Sequence, residues 1–398
     1  MARWLHIIGI GANGLESLSP AARAALASAE VIIGGDRHHT LTDVFPGQRV
    51  SWPSPFDALI DKLREFRGRT VVVLATGDPL WFSVGARIGR EFSQDEICFH
   101  SQLSAFQLAA CRMGWSLADV ETLTVHGRPA EQMIPFIMPG ARLLVLTTGG
   151  ETPGTIATFL EDRGYGPSRL TVLANMETAD EVRIEGTAET WSETVPEFNT
   201  LAVEVIPGEA PSVLARSPGL PDAAFSSDGK MTKQEVRSIT LARLMPMRGA
   251  LLWDIGCGSG SVAVEWMRAA RDARAIGIEP RADRRALAAA NAAALGTPGL
   301  RLIDGTAPDA LTDLPAPDAV FIGGGFSQDT FEAAWAALKP MGRLVANSVT
   351  LESEAMLMTL HARHGGELSR LSVARADPVG QLTGWRPFMP VTQWSLLK

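Results

Sequence analysis

The chain has 398 residues, 46% of them apolar and 20% charged, the balance of a globular protein long enough for two domains. Its net charge of −8 argues against a general nucleic-acid binder, whose affinity rests on neutralising phosphates, though it allows a local basic pocket for an acidic small molecule. No apolar run approaches the roughly 20 residues of a membrane-spanning helix. The three scattered cysteines, Cys98, Cys111 and Cys257, form no metal or redox spacing and fit a reducing cytoplasm.

Trp4–Ile10 reads as a first β-strand rather than a signal peptide, because its apolar run is brief and breaks on glycines. An Ala-rich helix is expected from about Pro20 to Ala29, then a short buried strand over Val31–Ile33. Arg69–Ala75 is a stronger strand that runs into a Thr-Gly-Asp-Pro turn. A helix at Ser104–Met113, a strand at Arg142–Thr147, a helix at Pro153–Arg163 and strands at Leu170–Ala174 and Leu201–Ile206 follow. The next stretch carries Pro207, Pro211, Pro218 and Pro221 with several glycines, and reads as a linker. Helical periodicity at Lys233–Met245 then opens a second alternation. Strands are expected at Ala250–Asp254, Ala275–Ile278, Leu300–Asp304, Ala319–Ile322 and Arg343–Ala346. Helices are expected at Ser261–Ala270, Arg281–Leu295 and Phe331–Leu338, with a strand-rich tail from about Gly366. Such alternation means an α/β architecture. The halves share no repeat, so two different α/β domains are expected over residues 1–207 and 230–398, joined by a linker at 208–229.

The second half carries the sharper constellation. Asp254 closes an apolar run, and Gly256, Gly258 and Gly260 alternate with Cys257 and Ser259 before a helix. Glycines there let a ligand approach the backbone, and the helix N-terminus offers free N–H groups. The spacing is G-x-G-x-G rather than the G-x-G-x-x-G of a dinucleotide loop, and Asp254 would repel a pyrophosphate. It suits a ligand with an amino group and a sulfonium cation. Glu279 ends the next strand, where an acid can accept both ribose hydroxyls. Gly305, Thr306 and Ala307 after the third strand are placed to line an adenine. Together these residues resemble a class I methyltransferase that uses S-adenosylmethionine.

In the first half, Gly9-Ile10-Gly11-Ala12-Asn13-Gly14 matches the dinucleotide pattern but lacks an acid at the end of the second strand. The turn Gly77-Asp78-Pro79-Leu80 is the better mark, since Pro79 fixes φ and Gly77 permits a tight bend. With Gly9, Gly11, Ser101, Ser104 and Thr147 it resembles the tetrapyrrole methylases, a second and unrelated S-adenosylmethionine fold of two α/β lobes.

The whole combination resembles the decarboxylating precorrin-6Y C5,15-methyltransferases of cobalamin biosynthesis. Further marks are Gly34-Gly35-Asp36-Arg37-His38, Val125-His126-Gly127-Arg128, the Met231–Arg237 run, Phe321-Ile322-Gly323-Gly324 and Val345–Glu352. The resemblance implies an α/β pair: a two-lobed tetrapyrrole-methylase (class III) domain, then a Rossmann-like class I methyltransferase domain. It implies two S-adenosylmethionine sites, one per domain, and no metal. The implied substrate is the acidic tetrapyrrole precorrin-6Y, methylated at C-5 by the first domain and at C-15 by the second. The second domain would also decarboxylate the C-12 acetate, giving precorrin-8. A cytoplasmic homo-oligomer without nucleic-acid or membrane partners is expected.

A substrate with several carboxylates calls for cations. Arg37, His38, Lys233 and Arg237 are candidate substrate contacts, and His126, Arg128 and Asn347 candidate catalytic ones. Each has a plainer alternative. Arg37 and Arg128 could be surface ion-pair partners, His126 a core histidine, and Lys233 and Arg237 a solvated helix face. Thr232 could cap that helix with Glu235 as its partner, as well as touch the cofactor.

Overall fold

The computed structural model describes residues 3–398. The chain divides into two compact units, one of Met1–Ala130 with Pro139–Ser212, the other of Glu131–Met138 with Val213–Lys398. Among the described residues no helix is long and apolar enough to cross a membrane.

The first unit holds two five-stranded sheets. Strands β1 (Leu5–Ile10), β2 (Val31–Gly34), β3 (Gln48–Ser51), β4 (Val71–Thr76) and β5 (Ile97–His100) pair in parallel in the order β3-β2-β4-β1-β5. Helices α1 (Pro20–Ala27), α2 (Asp36–Leu41), α3 (Leu59–Glu65) and α4 (Val84–Glu91) alternate with them. The central strands β2 and β4 are apolar on both faces because both are covered. Leu5, Ile7, Val71 and Val73 pack with α3 and α4 residues Leu63 and Ile88, while Ile8, Val72 and Leu74 meet Ala22 and Leu26 of α1. Helix α5 (Ala105–Met113) leads into the second sheet. Ser104 and Gln107 form a reciprocal capping box at its start. That sheet contains β6 (Glu121–Thr124), β7 (Arg142–Leu146), β8 (Arg169–Ala174), β9 (Val182–Thr187) and β10 (Asn199–Glu204), with α6 (Thr152–Glu161) between β7 and β8. Its order is β6-β7-β10-β8-β9, parallel only at the β6–β7 step.

The second unit opens with α7 (Gln234–Leu244) and continues β11 (Leu251–Ile255), α8 (Ser261–Ala269), β12 (Arg274–Ile278), α9 (Ala282–Ala294) and β13 (Arg301–Ile303). Then come β14 (Ala319–Ile322), α10 (Gln328–Ala337), β15 (Arg343–Ser348), α11 (Leu351–His364), β16 (Glu367–Leu371), the hairpin β17 (Ala374–Val379) and β18 (Leu382–Pro387), and β19 (Val391–Leu397). The seven-stranded sheet runs β13-β12-β11-β14-β15-β19-β16, parallel except for β19 and β16. Along β11, Trp253 and Ile255 enter one apolar layer with Phe331 and Trp394, and Leu252 enters the other with Trp266. The strand order reverses between β11 and β14. In open α/β sheets that reversal opens a crevice at the carboxyl ends of the strands.

The proline-rich stretch is not a free linker from Val213 on. Leu220 and Phe225 are buried in a cluster with Val264, Ala292 and Leu295. The Glu265 carboxylate accepts from the backbone N–H groups of Gly219 (2.6 Å) and Leu220 (3.1 Å). Prolines suppress periodicity, so composition alone suggested a tether where the chain is a packed wrap. The cap of α7 also differs from expectation. Lys233 is the N-cap, and Glu235 pairs with Arg375 of β17 instead of closing a capping box.

Candidate active sites

The second unit carries a cleft of about 260 Å³ at the reversal point. Every parallel strand from β11 to β14 contributes. Asp254, Gly256, Cys257, Gly258 and Ser259 follow or end β11, Glu279 follows β12, Gly305, Thr306 and Ala307 follow β13, and Gly323–Gly325 follow β14. Gly256, Gly258 and Gly260 all have positive φ (70°, 54° and 76°), so the tight turn into α8 favours glycine. Their surroundings differ. A Cβ on Gly256 would lie 2.8 Å from the Gly324 backbone, whereas one on Gly258 would meet nothing within 4 Å. Gly256 therefore closes the loop against β14, and Gly258 leaves room for a ligand.

Glu279 locks the loop from the side. Its carboxylate accepts from Gly258 N–H (3.0 Å) and Arg281 N–H (3.1 Å). Asp254 is fully buried, and its Oδ2 accepts from Ala263 N–H in the first turn of α8 (3.0 Å). Burial pushes its carboxyl up to about 7, and the neighbouring Glu279 charge pushes the same way against that hydrogen bond. Asp254 Oδ1 and the Ser259 hydroxyl are buried without a partner. Buried polar atoms are normally satisfied, so two orphans in one glycine-walled cleft point to a polar ligand. The residues present thus fit S-adenosylmethionine: a close backbone approach, an acid after β12, and a second carboxylate against which a cation is favoured. Cys257 is buried with its thiol pushed up by burial, so it lines the cleft as an apolar group.

In the first unit the carboxyl ends of β1 and β4 meet. A Cβ on Gly9 would sit 2.3 Å from Gly77 O and 2.7 Å from Gln102 Cβ, so this glycine permits the close packing of two turns. Gly11 bridges to Gly14 in a tight antiparallel turn. Gly77 has φ 64° and donates to Ile10 O (3.0 Å), which joins the two turns. Asp78 Oδ1 accepts from Leu80 N–H (2.8 Å), and the Leu80 side chain stands exposed. Ser101 is exposed after β5, while Ser104 is buried as the cap of α5. Thr147 lies buried beyond β7 and donates to Asn199.

Two family models match: tetrapyrrole (corrin/porphyrin) methylases over residues 4–191, and a precorrin methyltransferase domain over 223–398. A precorrin-6Y C(5,15)-methyltransferase [decarboxylating] from Sinorhizobium sp is 46% identical over 99% of this chain and 96% of its own length. The chain belongs to the precorrin-6Y C5,15-methyltransferase (decarboxylating) family. A relative of the same name from Mycobacterium tuberculosis is 38% identical over 98% of this chain and 99% of its own. The crystal structure of the C-terminal domain of a precorrin-6Y C5,15-methyltransferase from Rhodobacter capsulatus is 53% identical over 46% of this chain and all of that one, with a TM-score of 0.44. Members of this family are methyltransferases that use S-adenosylmethionine.

Family membership implied cationic substrate contacts, and several fall elsewhere. Arg237 is fully buried. Its guanidinium donates to Glu265 (2.5 Å), Asp222 (3.2 Å), Thr232 O (2.6 Å) and Leu220 O. It tethers the 213–232 segment to α8 and is not among the residues that line the cleft. His38 is equally committed. Gly35 N–H donates to its Nδ1 (3.2 Å), which fixes the tautomer, so Nε2–H donates to Thr76 Oγ1 (2.9 Å). Burial, with the charges of Arg37 and His39, pushes it down to about 4, so it is neutral and joins α2 to the end of β4. Asn347 forms a polar knot with Thr240 and Gln393 across α7, β15 and β19, at 3.0 Å each, rather than facing the cleft. Its amide is used structurally.

The remaining candidates keep exposed surfaces. Arg37 stacks over Phe198 at 4.3 Å, and Arg128 lies 5.9 Å from the Phe82 ring. His126 is exposed and bonds Thr147 O through Nδ1 (3.2 Å), so it is not a core histidine. In the second unit Lys230, Thr232 and Arg284 line the cleft, and Lys233 stands at the N-cap position of α7 without a side-chain capping bond. Lys230, Arg284 and Ser261 escaped sequence reasoning. The Phe321–Gly325 run at the end of a parallel strand was the available signal for the wall opposite the glycine loop.

Proposed function

We propose that the chain methylates precorrin-6Y at C-5 and C-15 and removes CO₂ from its C-12 acetate, giving precorrin-8. The first unit would serve C-5 and the second C-15 with decarboxylation. Similarity over the full length of decarboxylating C5,15 relatives carries this reading. The two distinct methylase models, one matching each half, support its division into two S-adenosylmethionine sites.

When bound, S-adenosylmethionine supplies an electrophilic methyl group. The chain's own work is placement. The loop Gly256–Gly260 admits a ligand against the backbone, and buried Glu279 fixes that loop while lining the cleft. Asp254 and Ser259 present unpaired polar atoms from below. Such fixed groups need no reorganisation during the reaction, and alignment with exclusion of water lowers the barrier. The electron-rich macrocycle is the nucleophile, so no strong base is needed for attack. Loss of CO₂ leaves its electron pair in the same conjugated system. Lys230 at the cleft is the cation best placed to meet a substrate carboxylate, while Arg284, which also lines it, is paired with Asp228 through two nitrogens (2.9 and 2.7 Å).

The test is product mass. The full chain, precorrin-6Y and S-adenosylmethionine should give two methyl additions and one CO₂ loss; unchanged mass with verified substrate would refute the reading. Assembly as a homo-oligomer belongs to the same proposal, and sedimentation of the full chain as a monomer would remove it.

A further inference from the structure

Strands β1 and β5 pair with His6 opposite Cys98 and Ile8 opposite His100. Side chains alternate along a strand, so His6, Cys98 and His100 leave the sheet on one face. His6 Nδ1 and His100 Nε2 share a hydrogen bond of 3.1 Å, whose proton an ion between them would displace to the other nitrogen of its ring, with ring centroids 5.4 Å apart and planes tilted by 31°. The Cys98 thiol completes a triangle whose ligand atoms all lie within 4.8 Å of one another. All three residues are half-buried.

We propose that His6, Cys98 and His100 form a three-ligand site for a thiophilic divalent transition-metal ion of the zinc type, with a fourth position open to water. Tetrahedral zinc has metal–nitrogen distances of about 2.0–2.1 Å and metal–sulfur of about 2.3 Å, which puts its ligand atoms roughly 3.3–3.6 Å apart. The imidazole pair already stands near that spacing, and the Cys98 sulfur lies within 4.8 Å of both nitrogens. The parallel register fixes the three backbones, so no strand need move. Two imidazoles and a thiolate favour zinc or copper over magnesium or calcium.

The surroundings agree with this donor set. Both imidazoles are half-buried beside the thiol on one face of the sheet, which limits competition from bulk water for the ion. Binding would release the Cys98 thiol proton to solvent and needs no redox partner. An ion here would clamp edge strand β5 to β1. It would thereby hold the strand end leading to Ser101 and the capped start of α5. The sequence signal is Cys98-Phe99-His100, a C-x-H step invisible to a search for paired cysteines.

The experiment uses the full chain, stripped with chelator and titrated with Zn²⁺ against a chromophoric competitor, with Co²⁺ as the optical probe. One tightly held zinc per chain is expected, and a cobalt complex with a thiolate charge-transfer band and tetrahedral visible bands. Cys98→Ser should abolish the charge-transfer band and weaken zinc at least about tenfold, while Cys111→Ser changes neither. His100→Gln should weaken zinc but keep the thiolate band. A second measurement needs no variant: zinc should protect Cys98, and not exposed Cys111, from alkylation in the native chain. Absence of stoichiometric zinc, or equal Cys98 alkylation with and without it, would overturn the site.

Discussion

Two glycines of one loop should fail in different ways when each gains a methyl group. Gly256 and Gly258 both have positive φ, which costs a residue with a Cβ about 1–2 kcal/mol. Restricting the unfolded chain returns about 0.4–1 kcal/mol. Gly258→Ala should therefore cost only about 1 kcal/mol, because nothing lies within 4 Å of its new Cβ. Gly256→Ala drives its Cβ to 2.8 Å from Gly324 Cα and O and 2.9 Å from Gly324 N. All three are backbone atoms at the end of β14 and cannot swing away. Overpacking of this kind adds about 1–3 kcal/mol, for a total near 3 kcal/mol. For a unit of this size that lowers Tm by roughly 6–12 °C. The ranking should reverse in mechanism for the cofactor. Gly258→Ala keeps a folded unit but fills the space that a ligand would occupy, so binding falls with little loss of Tm. Calorimetric melting, with titration of S-adenosylhomocysteine as the binding probe, reads both effects. Equal stability of the two variants, or a Gly258→Ala unit that binds normally, would refute the loop argument.

Arg237→Met leaves Glu265 buried without its ionic partner and should destabilise the second unit by about 3–5 kcal/mol in denaturant melts. Adding Glu265→Leu should restore part of that loss, and a single variant costing under about 1 kcal/mol would contradict the internal-tether assignment. Asp254, raised to about 7 from its ordinary 3.8, holds a proton when folded that the unfolded chain has released. Its contribution is fully present below pH 3.8 and is lost as pH rises towards 7. Melts of Asp254→Asn across that window should show a flatter decline than the parent, and parallel curves would count against a protonated Asp254. His38 has the opposite sign. Lowered to about 4 from 6.5, it gives stability present above pH 6.5 and lost as pH falls through 4. His38→Gln should blunt acid destabilisation of the first unit, and an unchanged acid limb would mean that the ring is not held neutral.

The elements with strong signals were legible. The apolar runs of β4, β11 and β12 read directly as buried strands, because parallel sheets covered on both faces leave few polar positions to confuse the pattern. The loop after β11 was legible too, since alternate glycines beside an acid have a specific physical use. Side-chain commitment was not. Arg237 and Lys233 occupy one helical turn and look alike in sequence, yet one is buried in a four-partner knot and the other stands half-buried at the N-cap position of α7. The partner of Arg237, Glu265, lies 28 positions away, and only the fold brings it near. The same holds for Asn347, whose partners come from α7 and β19. The His6–Cys98–His100 triangle was hidden because its halves lie on strands paired across 94 positions.

The most direct test of the two-site account counts cofactor. Calorimetric titration of the full chain with S-adenosylhomocysteine should give two molecules per chain. Glu279→Ala should remove one and leave the other's affinity unchanged. A stoichiometry of one in the parent chain, or a Glu279→Ala variant that still binds two, would contradict the claim that each unit holds its own methyl donor.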